Sequence, residues 1–469
     1  MKINQALSLI VIVAIFVSAL ASSPGCATIV PPTGGPRDTL PPVLLRVSPP
    51  DSSRDFAAKK IVFEFDEYVQ LDNIQQHLLV SPTPKINPVV QSKLRTITVQ
   101  LKDTLEENAT YSIDFGNAVK DLNEGNLLRN FSYLFSTGKT LDSMTLSGEV
   151  IIAESGKKDS TLIVMLYQDL DDSAVVKERP RYIARLNKEG QFRFSNLAPG
   201  TYAIYALKDE GARRYLDKKQ LFAFADSAVQ SQSLKNDIVL YAYVEKPKPD
   251  TAASKRGKPA PKAGGADQYL KLQPNLTGGQ LQLNTNLSLS FTEPLRTFDP
   301  SKLSFVNDSF QVISNYTLQK DSSDKKITLV HPWKENTQYH LIMDTAFAED
   351  TMGRKIARTD TLHFRTKKQS DYGTVRLRFS KLLLDKNPVL QFVQSDQVKY
   401  SHPFTNAQFN STLFEPGEYE LRILYDENKN GEWDAGEFFG KHIQPEKVQP
   451  ISSKLTVKAN WDNEMNIEL

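Results

Sequence analysis

The chain has 469 residues, of which 40% are hydrophobic, and this combination predicts several folded domains rather than one domain or a disordered chain. Lysine and arginine (57) nearly balance aspartate and glutamate (55), and a net charge of +2 offers no electrostatic case for a nucleic-acid partner. A single cysteine excludes disulfides within the chain and zinc sites built from several thiolates.

Residues 1–25 have the layout of a secretory signal peptide. Lys2 gives a positive start, an apolar run extends from Leu7 to Leu20, and small residues follow before Cys26. The run is shorter than the roughly 20 apolar residues that a membrane-spanning helix needs. A cysteine just after such a run resembles the lipobox of bacterial lipoproteins, which implies that Cys26 is acylated and becomes the first residue of the mature protein. The alternative is an ordinary signal peptide followed by an incidental cysteine.

Residues 26–42 are rich in proline, glycine and threonine, a composition that predicts an extended tether between the anchor and the first domain. Such a cysteine-anchored tether is similar to those of Gram-negative outer-membrane lipoproteins of the Bacteroidetes type. The resemblance implies attachment to the outer membrane through N-terminal acyl chains. Ala27 fits outer-membrane retention, and no acidic run follows that would signal export, so we expect a periplasm-facing rather than surface-exposed protein.

Residues 43–138 (module A) contain short alternating segments separated by proline-rich and glycine-rich turns. Ile61, Phe63 and Phe65 occupy every second position, which is the period of a strand with one buried face. Repeated short strands of this kind predict a β-sandwich. The Ile61–Glu67 strand and the closing Phe135–Gly138 segment resemble the bacterial Ig-like domain of the SbsA, surface-layer type.

Residues 141–244 (module B) also have a strand pattern. Phe192 and Phe194 alternate before Pro199-Gly200, and Tyr202 begins a second alternation after it, so this stretch predicts a β-hairpin. Its sequence is similar to that of prealbumin-like modules related to carboxypeptidase regulatory and Cna B-type domains. The resemblance implies a second type of β-sandwich.

Residues 245–266 form a linker rich in proline, lysine and glycine, without apolar periodicity. Residues 267–367 (module A′) repeat module A, since Asn336–Ile342 matches Asn108–Asp114 in order and in type. We therefore expect a second Ig-like domain after the linker.

Residues 371–469 (module B′) repeat module B, because Phe414–Leu424 parallels Leu197–Leu207 around a shared Pro-Gly-x-Tyr sequence. The predicted fold is therefore all-β, with four tandem β-sandwich domains in the order A-B-A′-B′ after a signal peptide.

The segment from Asp426 to Glu437 fills a calcium-loop pattern, with acidic or amide residues at positions one, three, five and nine, Gly431 at six and glutamate at twelve. It resembles an EF-hand loop, although a strand rather than a helix precedes it. The resemblance implies a Ca²⁺ cofactor held at roughly 10⁻⁴–10⁻³ M affinity. The alternative is a polar hairpin loop of turn-forming residues. The predicted ligands are Asp426, Asn428, Asn430, the Glu432 carbonyl, Asp434 and Glu437.

A triplet of aspartate, serine or threonine, and a small or aliphatic residue recurs along the chain. It is similar to the O-glycosylation sequon of the same Gram-negative phylum, and ordinary turn usage of these residues is the alternative. The triplets begin at Asp38, Asp103, Asp142, Asp172, Asp226, Asp250, Asp344, Asp350 and Asp360.

Several other polar and aromatic residues have ordinary structural explanations. The six histidines are scattered, and His340 and His363 fall on predicted strands, where an exposed or hydrogen-bonded side chain is expected. Glu67 and Glu293 occupy matching positions in the two Ig-like copies and are expected to hydrogen-bond at turns. Packing in a core or hairpin is the expectation for the three tryptophans, Trp333, Trp433 and Trp461.

The sequence contains no nucleophile elbow, phosphate loop, zinc-binding helix motif or dinucleotide fingerprint. We therefore expect a non-enzymatic, lipid-anchored envelope protein that acts as a scaffold or binding module for an unknown envelope protein or glycan. One alternative is a glycan-binding accessory lipoprotein of an outer-membrane uptake system, which an exposed aromatic cluster would favour. The other is a hydrolase with an unrecognised site, which a cleft with several carboxylates or histidines would favour.

Overall fold

The computed structural model describes residues 11–15, 17–18, 37–232, 238–245 and 268–469. The predicted acylation site Cys26, most of the tether and nearly all of the linker lie outside these ranges. Strands dominate the described residues and the helices are short, so the predicted all-β fold class is confirmed. No helix within the described ranges is both long and apolar enough to cross a bilayer. The chain forms two compact units, which divide between Leu141 and Asp142.

The first unit contains module A. Its strands are β1 (Leu44–Ser48), β2 (Lys60–Phe65), β3 (Val69–Leu71), β4 (Leu79–Ser81), β5 (Val89–Lys93), β6 (Thr96–Gln100), β7 (Thr110–Asp114), β8 (Val119–Asp121), β9 (Leu127–Leu128) and β10 (Ser132–Ser136). The sheets have the orders β1-β2-β6-β5, β10-β7-β4 and β3-β8-β9. Alternation along β2 buries Ile61, Phe63 and Phe65 completely, and these side chains share one core with Tyr133 and Phe135 from β10.

Module B opens the second unit. Its strands are β11 (Met144–Ile152), β12 (Leu162–Tyr167), β13 (Tyr182–Arg185), β14 (Gln191–Leu197), β15 (Thr201–Lys208), β16 (Phe222–Phe224), β17 (Val229–Gln230) and β18 (Ile238–Ala242). One sheet has the order β14-β11-β18 and the other has the order β13-β12-β15-β16, with β17 also paired to β15. One hydrophobic core lies between them.

The predicted hairpin between β14 and β15 is wrong. The two strands belong to different sheets, because β14 pairs with β11 and β15 pairs with β12. Phe192, Phe194 and Tyr202 all point into the same core, so the chain crosses from one sheet to the other between them. The Tyr202 hydroxyl donates a hydrogen bond to the Ala198 carbonyl over 2.9 Å and fixes this crossing.

Module A′ repeats the topology of module A. Its strands are β19 (Leu272–Pro274), β20 (Gln280–Leu281), β21 (Leu287–Phe291), β22 (Leu295–Phe298), β23 (Leu303–Asn307), β24 (Thr317–Lys320), β25 (Lys326–Val330), β26 (Gln338–Met343), β27 (Ala348–Asp350) and β28 (Asp360–Thr366). The sheet orders β19-β21-β25-β24 and β20-β28-β26-β23 match those of module A, with β20 added at one edge. The pair β22-β27 corresponds to β3-β8.

Module B′ repeats the topology of module B. Its strands are β29 (Gly373–Ser380), β30 (Pro388–Gln394), β31 (Gln397–Pro403), β32 (Gln408–Phe414), β33 (Gly417–Tyr425), β34 (Lys447–Val457) and β35 (Asp462–Glu468). The orders β32-β29-β35 and β31-β30-β33-β34 reproduce the two sheets of module B. From residue 37 onward, the described helical segments are Ile74–His77, Ala174–Lys177, Pro300–Lys302, Gln369–Asp371 and Leu384–Lys386. The predicted A-B-A′-B′ order is therefore present in the strand topology.

Candidate functional site

The predicted calcium loop begins directly after β33, in the long connection between β33 and β34 (residues 426–446, the docking loop). Asp426 is only 2% exposed. Its Oδ1 accepts a hydrogen bond from the Lys429 N–H at 2.6 Å, and its Oδ2 accepts one from the Gly431 N–H at 2.7 Å. The first residue of the pattern therefore closes the loop through its carboxylate, and positive φ at Gly431 (80°) permits the turn.

Three other predicted ligands converge inside the docking loop. Nδ2 atoms of Asn428 and Asn430 both donate to Asp434 Oδ2, at 2.6 and 2.7 Å. Asn430 Oδ1 accepts from the Glu432 N–H at 2.7 Å, so Glu432 follows in the same tight turn. Both amide groups would have to rotate by about 180° to present oxygen where nitrogen now faces Asp434, and this rotation would break the bonds that the Asn430 and Glu432 N–H groups donate to the Asn428 and Asn430 oxygens.

The twelfth position differs from the other predicted ligands. Glu437 Oε2 forms an ion pair with Lys441 Nζ at 3.0 Å. Glu446, which sequence reasoning missed, is 5% exposed and accepts the N–H groups of Glu427 at 2.8 Å and Asp434 at 3.0 Å. Burial raises the pKa of the Glu446 carboxyl, in spite of these hydrogen bonds. No pattern of fixed spacing would have identified it, because it lies beyond the end of the calcium-loop template.

A second group of acids lies in module A. Glu67, Asp121 and Glu124 form an acidic triad in which one carboxylate oxygen of each residue lies within 4.8 Å of one oxygen of each of the others. Burial, and then the charge of Asp121, raise the pKa of Glu67. Asp121 accepts the N–H groups of Glu124 and Gly125 at 2.6 and 2.8 Å, which accounts for its burial as the cap of a turn.

The equivalent turn in module A′ is closed in a related way. Asp350 is fully buried and accepts the N–H of Met352 at 2.9 Å. Arg354 Nε also donates to Asp350 Oδ2 at 2.7 Å. The aspartates therefore have a shared structural role in modules A and A′. Glu67 lies beside the first turn in space, and Pro294, which follows Glu293, accepts the Thr351 N–H at 3.0 Å in the second.

The second half of the docking loop packs against module B. The ring of Phe438 is 1% exposed, with its centroid 4.9 Å from Phe224 and 5.2 Å from Phe222 of β16. His442 Nε2 lies 2.6 Å from Asp172 Oδ2. Modules B and B′ therefore contact each other directly through an aromatic cluster, although module A′ separates them in the sequence.

A cleft of about 690 Å³ lies beside this contact, between module B′ and the turn after β11. Gln391 and Arg422 line it from neighbouring strands, and Trp433 from the docking loop lies at its wall. The Gln391 side chain is buried, and its Oε1 atom has no hydrogen-bond partner among the described protein groups. Lys157 Nζ, from the turn after β11, pairs with Asp396 Oδ1 at 2.6 Å in the lining of the same cleft.

The tryptophans lie in three different environments. Trp333 packs in the core of module A′ against Tyr339 and Phe364. The Trp433 indole donates a hydrogen bond to the Glu446 carbonyl at 2.8 Å. Trp461 is 61% exposed. The three rings therefore do not form a shared stacking surface.

The chain is similar to several proteins of known structure. The major pilin subunit BcpA of Bacillus cereus is 11% identical, with 70% of this chain and 99% of the pilin covered and a TM-score of 0.17. The BSP domain of a biofilm-associated protein is 10% identical, with 92% and 99% covered and a TM-score of 0.17. The N-terminal part of the bacterial S-layer protein SbsC is 14% identical, with 43% and 44% covered and a TM-score of 0.15. We infer no function from these similarities.

No curated protein matches the chain. The family model of the bacterial Ig-like domain matches residues 38–137 and 268–366. These ranges coincide with the two sandwiches of equal strand order, modules A and A′. Modules A and A′ are therefore each similar to the bacterial Ig-like domain.

Proposed function

We propose that the protein is a non-enzymatic, lipid-anchored scaffold or binding module of the bacterial outer membrane, facing the periplasm. The two bacterial Ig-like domains support an envelope protein, and the signal-like segment that ends at Cys26 supports the anchor. The observation that carries the scaffold role is the direct contact between modules B and B′ through Phe438. A buried contact of this kind holds two modules in a fixed relation, as a scaffold requires.

Crosslinking in living cells tests this function. The chain is crosslinked in intact cells and then purified from the outer-membrane fraction. We expect it to carry an additional envelope protein or glycan joined to one of its modules. A control with the same crosslinker applied after detergent extraction measures random capture. Recovery of the chain alone in intact cells, at the level of the detergent control, would contradict a scaffold or binding role.

We also propose that the docking loop binds calcium. Asp426, Asn428, Asn430, the Glu432 carbonyl and Asp434 would hold the ion once the two asparagine amides rotate. Glu437 would exchange its ion pair with Lys441 for a bond to the ion and complete the ligand set. A calcium ion would supply no chemistry beyond charge and rigidity at this position. Because the same loop carries Phe438, a bound ion would stiffen the contact between modules B and B′.

A second candidate function is glycan binding in an uptake system. The cleft beside Gln391 favours it, since a buried acceptor without a partner suits a sugar hydroxyl and the volume is in the range of small-ligand sites. The tryptophans do not add a stacking platform to this cleft, apart from the largely buried Trp433. We therefore rank this function below the scaffold role.

A further inference from the structure

Two histidines lie directly opposite each other on adjacent strands of module A′. His340 on β26 and His363 on β28 are partners in the antiparallel register. Their Nδ1 atoms are 2.6 Å apart, with the rings at 78° to each other. Because each neutral imidazole carries a single ring proton, one Nδ1 donates to the other in this arrangement.

The surroundings of His340 fix the orientation of its ring. The connection between β23 and β24 places Phe310 over the imidazole, with the ring centroids 5.0 Å apart and the planes within 11°. Asp308 Oδ1 lies 3.7 Å from His340 Nε2. A carboxylate on this side favours a proton on Nε2, which leaves the Nδ1 lone pair directed at His363.

Module A gives an internal comparison for this pair. The equivalent cross-strand positions there are Ser112 on β7 and Leu134 on β10, in the same register. An Ig-like sandwich of the same strand order therefore folds without histidine at either position. The pair in module A′ is a feature of that copy and not a requirement of the fold.

We infer that His340 and His363 form a binding site for a divalent transition-metal ion of the zinc or copper class. Imidazole nitrogen suits these ions, whereas calcium and magnesium prefer oxygen, so the site is chemically distinct from the docking loop. Metal–nitrogen bonds of about 2.0–2.1 Å would replace the hydrogen bond between the rings. Two bonds of this length separate the nitrogens by about 2.9 Å at a right angle and about 3.3 Å at a tetrahedral angle, so the exposed His363 ring must move outward by roughly 0.3–0.7 Å.

The protons balance without an additional reactant. The proton that His363 holds on Nδ1 moves through solvent to its own exposed Nε2, so both Nδ1 lone pairs become available and no net charge is lost. The Asp308 carboxylate, whose Oδ1 lies 3.7 Å from His340 Nε2, attracts the proton on that nitrogen and so favours the ring state in which Nδ1 is the ligand. Water would complete the coordination on the solvent side.

The test uses the full chain, purified without a polyhistidine tag and titrated with Cu²⁺ and separately with Zn²⁺. Electron paramagnetic resonance of the copper form should show two imidazole nitrogens, and calorimetry with zinc should show one site of micromolar affinity. His340→Ser and His363→Leu introduce the residues that module A has at these positions. Each should weaken binding at least about tenfold, and Asp308→Asn by a smaller factor.

His402→Gln in module B′ is the matched control and should leave both titrations unchanged. Thermal unfolding without metal shows whether each variant is folded. If His340→Ser or His363→Leu does not fold, the wild-type spectrum alone decides, because fewer than two imidazole nitrogens overturns the site. Equal affinity in a folded double variant and in the wild-type chain also overturns it.

Discussion

Single tyrosines stabilise the crossings between the sheets of modules B and B′. Tyr202 donates its hydroxyl proton to the Ala198 carbonyl at 2.9 Å, and Tyr419 donates to the Glu415 carbonyl at 3.1 Å. Both tyrosines are buried, and both follow a Pro-Gly sequence by two positions. The repeated Pro-Gly-x-Tyr sequence thus has a physical role, which is to fix the same corner in two sandwiches.

Burial of such tyrosines predicts a loss of stability in alkali. Burial raises the pKa of Tyr419 to about 12, and it also raises the pKa values of Tyr205 and Tyr215 to about 12. Above pH 10 the unfolded chain therefore releases protons that the folded chain retains, so the free energy of unfolding falls as the pH rises toward 12. Denaturant unfolding at pH 8, 10, 11 and 12 measures this fall.

The control for the alkaline series is Tyr269→Phe, which changes an exposed tyrosine and should leave the pH dependence unaltered. Tyr419→Phe removes one titrating group from the core, and it should make the decline with pH less steep. A free energy of unfolding that stays constant up to pH 12 would contradict the burial of these phenols.

At the scale of one element, the docking loop combines the predicted calcium-loop pattern with an interdomain contact that the sequence did not predict. Its first half has the calcium-loop pattern, and its second half carries Phe438 into contact with module B. The contact could not be foreseen, because a phenylalanine beyond a loop template has no periodic signal. Glu446 was missed for the same reason, although it accepts two N–H groups of the loop.

Calcium should stabilise the wild-type chain through this loop. With the free ion at 100 times the dissociation constant, binding to the folded state alone adds about 2.7 kcal/mol to the free energy of unfolding. Calorimetry and thermal unfolding of the full chain, with calcium and with a chelator, measure the effect. Glu437→Gln removes a predicted carboxylate ligand and should abolish most of it.

Glu432→Gln is the matched control for the calcium series, because the pattern uses only the backbone carbonyl of this residue. It should bind calcium as the wild-type chain does. The wild-type chain is tested at about 10 mM calcium, which exceeds the dissociation constants of roughly 10⁻⁴–10⁻³ M typical of extracellular loops. If it then shows neither binding heat nor thermal stabilisation, the proposal is contradicted.

At the scale of the whole molecule, the sequence predicted the repeat of modules well. The alternation of Ile61, Phe63 and Phe65 and the match of Asn336–Ile342 to Asn108–Asp114 correspond to equivalent strands of the two Ig-like domains. Local periodicity is sufficient for such strands, because one face of each is buried.

Pairing between strands was harder to predict from sequence. The turn at Pro199-Gly200 has the residues of a hairpin, but a crossing between two sheets uses the same residues. The choice depends on which faces share a core, and that is a property of the whole sandwich. His340 and His363 likewise face each other only because β26 and β28 pair in one register, and the two residues are 23 positions apart in sequence.

The most direct measurement of the central proposal is the mass of the N-terminal peptide of the protein recovered from cell membranes. The anchored scaffold predicts a peptide that begins at Cys26 and carries acyl chains, with the protein released from membranes by detergent only. A peptide that begins at another residue, or an unmodified Cys26 thiol in protein from the soluble fraction, would contradict the proposal.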